Sequence, residues 1–205
     1  ENDGEISAEE GREFAKLICE SAEHLGNVIN GILDLSEKEK GKTTVFAENF
    51  DVRAVVRRSV DLFSVGARGK GLTLDLKINY SCPQSCYSDK TKFIQIVENL
   101  LSNAVKYTKR GGVEIRLAGL DPDKLEVVVA DTGIGIPAVD QKRLFTPFYR
   151  VKHDDHDEAK GSGLGLSIVK EYAELLGGDV SYSPGLFGGS SFRLVLPKYQ
   201  SLQSI

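Results

Sequence analysis

Apolar residues recur along the chain with two different spacings, one typical of helices and the other of strands. Over residues 7–40 they return at steps of three and four, which predicts one long helix that Gly41 ends. A narrow a/d row on this helix is typical of a surface that packs against a partner helix. The row consists of Ile18, Ala22, Leu25, Ile29 and Ile32.

The remainder of the chain alternates predicted strands and helices. Asp51 is the predicted N-cap of a short amphipathic helix. The predicted order is a strand at 43–50, that helix, a half-buried strand at 72–78, a turn-rich segment at 81–86, a long helix at 89–108, a hairpin of 113–117 with 125–130, a helix at 163–176 and a strand pair at 180–183 and 191–196. A boundary near residues 41–45 separates the helical part, 1–42, from an α+β body, 43–205.

Composition restricts the classes of function. The chain has 205 residues, of which 40% are hydrophobic and 27% charged, and this suits one globular domain with an appendage. A net charge of −4 disfavours nucleic acid as a partner, and the apolar runs are too short to cross a bilayer. Three cysteines favour a reducing, cytoplasmic setting over a disulfide scaffold. Because the chain contains no Met, we expect it to be a fragment of a longer protein.

The first candidate for chemistry is the polar face of the predicted helix at 89–108. Asn99, Asn103 and either Lys106 or Tyr107 follow one helical stripe, opposite an apolar side. Two carboxamides and an ammonium suit a bound metal triphosphate, because Mg²⁺ accepts the oxygen of Asn as a ligand. A solvated helix face would give the same pattern, so these residues alone leave both interpretations open.

The second candidate lies where an apolar strand at 127–130 ends. Asp131 follows the strand, and Gly133 and Gly135 come after it at alternate positions. A carboxylate there is placed to accept a hydrogen bond from an exocyclic amine such as that of adenine, and glycine lets a ligand approach the backbone closely. A hairpin, or a capped loop with Asp131 as the N-cap, would also fit.

The third candidate is a run in which Gly161, Gly163 and Gly165 alternate and open directly into a predicted apolar helix. Amide groups at a helix N-terminus bind phosphate. The spacing matches neither the dinucleotide fingerprint Gly-x-Gly-x-x-Gly nor a P-loop, which a Gly-Lys-[Ser/Thr] would mark. Both of these common nucleotide folds are therefore disfavoured.

The fourth candidate is an aromatic segment at 144–150 that leads into a polar, charged stretch at 151–160. The polar stretch ends on the glycine-rich run. This arrangement is typical of a lid over a pocket, and Arg150 is a candidate to meet phosphate oxygens.

In this order and spacing, the four segments resemble the ATP-binding catalytic domain of sensor histidine kinases, within the wider family of gyrase, Hsp90 and MutL. The resemblance covers residues 44–197. Residues 99–108 look like the Asn box, 131–136 and 161–166 like the two glycine boxes, and 145–148 like the Phe box. The resemblance implies an α+β fold, a two-layer α/β sandwich of the Bergerat type with helices on one face of a mixed sheet.

The resemblance also implies residue roles. Asn103 would hold Mg²⁺ against the triphosphate with Asn99 beside it, and Asp131 would receive the adenine amino group. Glu98 would help to polarise the acceptor, which makes Glu98, Asn99 and Lys106 the implied catalytic residues. The implied ATP-binding residues are Asn99, Asn103, Lys106, Tyr107, Asp131, Gly133, Gly135, Ile136, Phe148, Arg150, Gly161, Ser162, Gly163, Leu164, Gly165 and Leu166.

The implied reaction is transfer rather than hydrolysis. Relatives that hydrolyse ATP carry a catalytic Glu four residues before the Mg²⁺-binding Asn, and that position is Asn99 here. With no water-activating base apparent, the γ-phosphoryl would pass to a His and then to an Asp of a response-regulator receiver domain. The expected partners are that receiver domain and a second copy, in a homodimer formed through the dimerisation hairpin. A chaperone-like ATPase and a non-catalytic nucleotide-binding module stay as alternatives.

The expected phosphoacceptor is not apparent in the sequence. Residues 29–36, followed by Gly41 and Lys42, resemble the second helix of the dimerisation and phosphoacceptor hairpin, but a His-Glu-x-x-Thr-Pro box is absent. His24 has an outward position on the predicted helix and is disfavoured as the acceptor. We therefore expect the acceptor on another part of a longer protein.

Two groups of residues suggest a metal site of another kind. His153 and His156 lie among carboxylates that suit a transition metal, although a solvated lid is the favoured interpretation. Cys82 and Cys86 lack a second pair of ligands, which disfavours a metal there.

Overall fold

The computed structural model describes residues 11, 14, 44–151, 162–185 and 188–199. The chain divides into two compact units, Glu1–Thr43 and Thr44–Ile205. Gly11 and Phe14 are helical and exposed, and the rest of the predicted N-terminal helix, with its a/d row and His24, lies outside the described residues. Gly161, His153 and His156 lie outside them as well.

The described part of the second unit contains seven strands and four helices. In chain order they are β1 (Ala47–Asp51), α1 (Val52–Gly69), β2 (Thr73–Ile78), β3 (Ser85–Asp89), α2 (Lys90–Tyr107), β4 (Gly112–Asp121), β5 (Lys124–Asp131), α3 (Ala138–Gln141), α4 (Gly165–Leu175), β6 (Asp179–Pro184) and β7 (Ser190–Pro197).

Both long helices begin at an aspartate that caps them. Asp51 accepts a hydrogen bond from the Ala54 amide (2.9 Å), and Asp89 accepts one from the Lys92 amide (3.0 Å). Each cap satisfies one of the amides that a helix leaves without an internal partner. The apolar stripe of α2 is buried and consists of Phe93, Ile96, Val97, Leu100, Leu101, Ala104 and Val105.

Five strands form one mixed sheet in the spatial order β2-β4-β5-β7-β6. β2 runs parallel to β4, and all other neighbours in this sheet are antiparallel. Helices α1, α2 and α4 pack against the sheet and bury one continuous apolar core with it. The predicted two-layer α+β fold is confirmed.

The helix-covered face of the sheet follows directly from strand alternation, because every second side chain points to the same side. On β5 this row runs through Leu125, Val127 and Val129 and ends at Asp131, all of them buried. On β7 the buried row begins at Ser190 and continues through Phe192. Asp131 and Ser190 therefore point to the helix layer, at the edge of the core.

The strand β3 is a correction to the predicted turn-rich segment at 81–86. The turn stops at Gln84, and Ser85–Asp89 pairs antiparallel with β1 in a separate two-stranded sheet. The Tyr87 amide also donates a hydrogen bond to the Lys198 carbonyl (3.0 Å). These partners are distant in sequence, and the strand itself is too polar to show an apolar alternation.

Candidate functional site

Asp131 is a buried carboxylate held by backbone donors. Its Oδ1 accepts hydrogen bonds from the amides of Gly133 (2.8 Å) and Ser190 (3.1 Å). Asp131 as a whole is only 8% exposed. Burial raises the pKa of Asp131, whereas the hydrogen bonds from Gly133 and Ser190 lower it. Among the described residues Asp131 forms no salt bridge. Within the described part of the chain, the contacts of Asp131 therefore do not fully offset the cost of burying its ionised form.

The loop after Asp131 is packed too closely for side chains. A Cβ at Gly133 would lie 2.5 Å from the Tyr107 carbonyl oxygen and 2.9 Å from Asp131 Oδ1. Gly135 has φ +64°, and a Cβ there would collide with the Gly188 carbonyl. A Cβ at Gly189 would in turn collide with the Asp131 carbonyl. Glycine is required at these positions because backbone meets backbone.

The C-terminal end of α2 is joined to this loop. The Ile134 amide donates a hydrogen bond to the Tyr107 carbonyl (3.4 Å). The buried Thr108 hydroxyl donates one to the Ala104 carbonyl (2.7 Å) and secures the last turn. These contacts fix the distance between the polar stripe of α2 and Asp131.

The two asparagines of α2 meet the N-terminal end of α4. Asn99 donates through Nδ2 to the Gln95 carbonyl (2.8 Å), and its Oδ1 lies toward the start of α4. A Cβ at Gly165, the first residue of α4, would lie 2.9 Å from that Oδ1 and 3.9 Å from Asn103 Nδ2. The structure thus brings the asparagine stripe and the glycine-rich run together, with the helix-start amides alongside.

A cluster of positive charge lies near the end of α2. Lys70 donates through Nζ to the carbonyl oxygens of Val105 (2.9 Å) and Lys106 (3.1 Å). Burial lowers the pKa of Lys106, and the nearby charges of Arg150 and Lys70 lower it further. Burial also raises the pKa of Tyr107, an effect that Arg150 partly opposes. Cations that repel one another in a half-buried position favour a polyanion.

The aromatic segment contacts the glycine-rich run through Phe148. Phe148 is 62% exposed and has φ +61°, the left-handed backbone conformation that side chains rarely adopt. A Cβ at Gly163 (φ +74°) would lie 2.8 Å from the Phe148 carbonyl carbon. Leu164 is buried, and its amide donates to the Ser162 hydroxyl (3.3 Å). Backbone strain of this kind concentrates at ligand clamps.

Glu98 stands apart from the other predicted residues. It accepts a hydrogen bond from the Ser59 hydroxyl of α1 (3.4 Å), and burial raises its pKa. Its carboxylate therefore contacts the α1 side of α2, away from Asp131 and the glycine-rich run. Of the remaining predicted positions, Ile136 and Leu166 pack against the core next to the site.

The sequence interpretation missed three contributors. Ser190 and Gly189 hold Asp131 from the start of β7, and Lys70 caps the end of α2. The paired glycines before β7 and the position of Ser190 on the buried row were signals for the first two. Lys70 carried none, because it lies 35 residues from the Val105 carbonyl that it contacts.

Of the two other suggested metal sites, the His153 and His156 group lies outside the described residues, and only the cysteine pair lies within them. Cys82 and Cys86 are buried free thiols, and burial raises the pKa of Cys86 to about 11. The residues that the structure covers include no group of three or more His, Cys, Asp or Glu side chains able to hold a metal ion. In the same part of the chain, no helix has the length and apolar character that a membrane span requires.

Comparison with known proteins gives a consistent result. Residues 88–200 match the family described as histidine kinase-, DNA gyrase B-, and HSP90-like ATPase. The chain is 37% identical over 194 residues to an uncharacterized sensor-like histidine kinase of Rhizobium meliloti (strain 1021), covering 95% of this chain and 37% of that protein. It is 34% identical over 196 residues to the aerobic respiration control sensor protein ArcB of Escherichia coli (strain K12), covering 95% of this chain and 25% of ArcB.

A solved structure extends the similarity to three dimensions. Full-length ShkA in complex with AMPPNP matches with a TM-score of 0.77 at 27% identity, over 97% of this chain and 41% of ShkA. The chain thus spans less than half the length of each of these proteins. It belongs to the histidine kinase-, DNA gyrase B- and HSP90-like ATPase family, and its body corresponds to the ATP-binding catalytic domain of sensor histidine kinases.

Proposed function

We propose that this domain binds ATP with Mg²⁺ and transfers the γ-phosphoryl group to a histidine supplied by a longer, dimeric protein. The phosphoryl group then passes to an aspartate of a response-regulator receiver domain. Because ATP and such regulators are cytoplasmic, the domain acts in the cytoplasm. Relatives named as sensor histidine kinases support this reaction class.

One observation carries the proposal: the first residue of α4 lies against Asn99 and Asn103 of α2. The amides at the start of a helix of 11 residues favour phosphate oxygens. The Asn side chains offer amide oxygens, a donor type that Mg²⁺ accepts together with water and phosphate. This combination fits Mg·ATP better than either element would alone.

Each end of the nucleotide has a counterpart in the site. We assign the adenine amino group to Asp131, since a buried carboxylate with two amide donors is fixed in place and still has acceptor capacity. Asn103 holds Mg²⁺ with Asn99 beside it, and Lys106, Tyr107 and Arg150 face the phosphates or the ribose. Gly133, Gly135 and Ile136 border the base, while Phe148 and residues 162–166 form the lid.

The chemistry is transfer by positioning. The bond between the γ-phosphorus and the bridging oxygen of ADP breaks while a bond to an imidazole nitrogen forms, and ADP leaves with its charge compensated. Mg²⁺ would neutralise charge that develops on the phosphate oxygens. Lys106 and Arg150 add to this neutralisation. Glu98, directed toward α1, is available to an acceptor that approaches from that side.

Binding is tested first, by titrating MgATP into the 205-residue chain in a calorimeter. We expect EDTA to abolish most of the affinity for ATP. Asn103→Ala should lower the affinity for MgATP about 10- to 100-fold, the usual effect of losing a side chain that supports metal binding. Asn49→Ala, at an exposed position of β1, is the matched control and should bind normally. Full affinity of Asn103→Ala would contradict the metal assignment.

Transfer is tested with radiolabelled ATP and the longer protein that contains the acceptor. We expect an acid-labile phosphoprotein that Asn103→Ala does not form. Binding of nucleotide without labelling would favour a non-catalytic signalling module instead. Release of inorganic phosphate without a phosphoprotein would favour an ATPase.

A further inference from the structure

The side chain of Tyr182 presents an unusual buried group beside the proposed base site. Its hydroxyl is inaccessible to solvent and has no hydrogen-bond partner among the described residues, which contain no other such side-chain nitrogen or oxygen. A buried hydroxyl without a partner lowers stability. A phenylalanine would fill the same space without this cost, so the hydroxyl calls for an explanation.

The position of Tyr182 places this hydroxyl in the region of Asp131. Tyr182 on β6 is paired with Phe192 on β7, and their rings are in tilted contact with centroids 5.4 Å apart. Ser190, two residues before Phe192, lies on the same face and donates its amide to Asp131. The rows from β5, β7 and β6 therefore end next to one another on the helix-covered face.

The electrostatic surroundings of Tyr182 agree with this position. Burial raises the pKa of the Tyr182 hydroxyl, the Asp131 charge raises it too, and the Ile136 amide and the Ser190 hydroxyl oppose them. Asp131, Ser190 and Ile136 are thus its polar neighbours, although none has the geometry of a hydrogen bond to it. The same Asp131 and Ile136 border the proposed adenine site.

We propose that Tyr182 is a positioning residue for base recognition, whose hydroxyl donates a hydrogen bond to the Asp131 carboxylate when a 6-aminopurine covers it. The inference rests on the proposed function. A carboxylate accepts about four hydrogen bonds, and Oδ1 of Asp131 already receives two. The bound base takes a third and excludes water, and a small rotation of the phenol supplies the fourth.

The consequence is selectivity for the amino group rather than general affinity. With Tyr182 bonded to it, Asp131 stays ionised and aimed at the 6-amino group. Without the hydroxyl, the negative charge of Asp131 has one hydrogen-bond donor fewer when the bound base removes water from it. A nucleotide that lacks the amino group forms no hydrogen bond with Asp131, so its affinity should not depend on the Tyr182 hydroxyl.

The test compares ATP with purine riboside triphosphate, which differs from ATP only in lacking the 6-amino group, in calorimetric titrations with Mg²⁺. We expect Tyr182→Phe to weaken ATP binding about three- to tenfold, the contribution of one hydrogen bond, and to leave binding of the analogue unchanged. The melting temperature of the free domain should stay the same or rise, since the buried hydroxyl is gone. Tyr80→Phe, at a residue 96% exposed, is the matched control.

Two results overturn the inference. Unchanged ATP affinity of Tyr182→Phe would show that the hydroxyl does not serve the site, and equal weakening of both nucleotides would show a packing role only. The wild-type titration separates this failure from a failure of the proposed function. If the wild-type chain does not bind MgATP, the proposed function itself is wrong, and this inference falls with it.

Discussion

The two ends of helix α2 differ in how their charges are compensated. At the N-terminal end, Asp89 accepts hydrogen bonds from the Lys92 amide (3.0 Å) and the Phe46 amide (3.0 Å) and pairs with the Lys92 ammonium (3.2 Å). Burial alone would raise the pKa of Asp89, but these three contacts hold it below its usual value. We call the N-terminal end the complete end, because the contacts of Asp89 outweigh the cost of burying its charge.

We call the C-terminal end the incomplete end, because burial disfavours the charged forms of its groups despite the contacts that they make. The pKa of Lys106 is lowered by burial and by neighbouring cations, and the pKa of Asp131, which adjoins this end, is raised by burial. Each shift disfavours the charged form of its group. Shifted pKa values of this kind are enriched at functional sites, so the difference supports the proposal that the C-terminal end faces the nucleotide. Burial alone would not have distinguished Asp89 from Asp131, since both are less than 9% exposed.

The largest expected effect is on stability, at the complete end. Asp89→Ala removes the cap of α2 and leaves the Lys92 ammonium without its partner, so we expect it to lower the free energy of unfolding by about 3 kcal/mol. Urea denaturation measures this change. Asp51→Ala, which removes only the cap of α1, is the control and should cost about 1 kcal/mol. Nucleotide affinity of the folded Asp89→Ala protein should be normal, and a loss would contradict the division between the ends.

The next effect is on binding, at the incomplete end. Asp131→Asn keeps an oxygen for the Gly133 and Ser190 amides but presents a donor to the adenine amino group. We expect MgATP affinity to fall about 10- to 100-fold, the contribution of a hydrogen bond to a charged group. The free energy of unfolding should be unchanged or higher. Asp75→Asn, on the exposed side of β2, should bind as wild type, and unchanged affinity of Asp131→Asn would refute the adenine assignment.

Lys106→Met tests the incomplete end again, with a smaller expected loss of MgATP affinity than Asp131→Asn. We expect MgATP affinity to fall about tenfold, because a charged contact to phosphate is lost. The free domain should lose little stability, because burial and the charges of Arg150 and Lys70 already disfavour the charged form, and the contact between the Lys106 ammonium and the Tyr107 ring (5.2 Å) contributes only about 1 kcal/mol. Calorimetry and urea denaturation on the same sample test both statements. Lys109→Met, an exposed neighbour, is the control, and a large loss of stability in Lys106→Met would show that the charge serves the fold.

The smallest effect is the pH dependence of stability, which should have opposite signs at the two aspartates. The pKa of Asp89 is lowered, so its contribution is present above the ordinary carboxyl pKa of about 4 and is lost as pH falls through the lowered value. The pKa of Asp131 is raised, so its contribution is present below about pH 4 and is lost as pH rises through the raised value. Urea denaturation of wild type, Asp89→Asn and Asp131→Asn between about pH 2 and pH 6 compares them. Slopes of the same sign would contradict the comparison.

Local pattern was sufficient to predict most elements of the fold. The apolar period of α2 and the alternation of β5 depend on neighbours three, four or two residues away, and those spacings are visible in one sequence. Asp51 was predicted as a cap because it directly precedes an amphipathic helix, which is also a local signal. β3 was missed because its polar residues are held by β1 and by the Lys198 carbonyl, which are remote in the chain.

The sequence by itself was sufficient to nominate the residues for the proposed chemistry: the Asn99–Asn103 stripe, Asp131 at the end of a strand, and alternating glycines before a helix. It could do so because each signal lies within about ten residues. Only the tertiary structure decided how they are arranged. Strand pairing brings Ser190 to Asp131 across 59 residues. Packing around α2 brings Lys70 to the end of this helix and Gly165 to Asn99. Such contacts depend on strand register and helix packing, and these are set by burial of the whole core rather than by any local pattern.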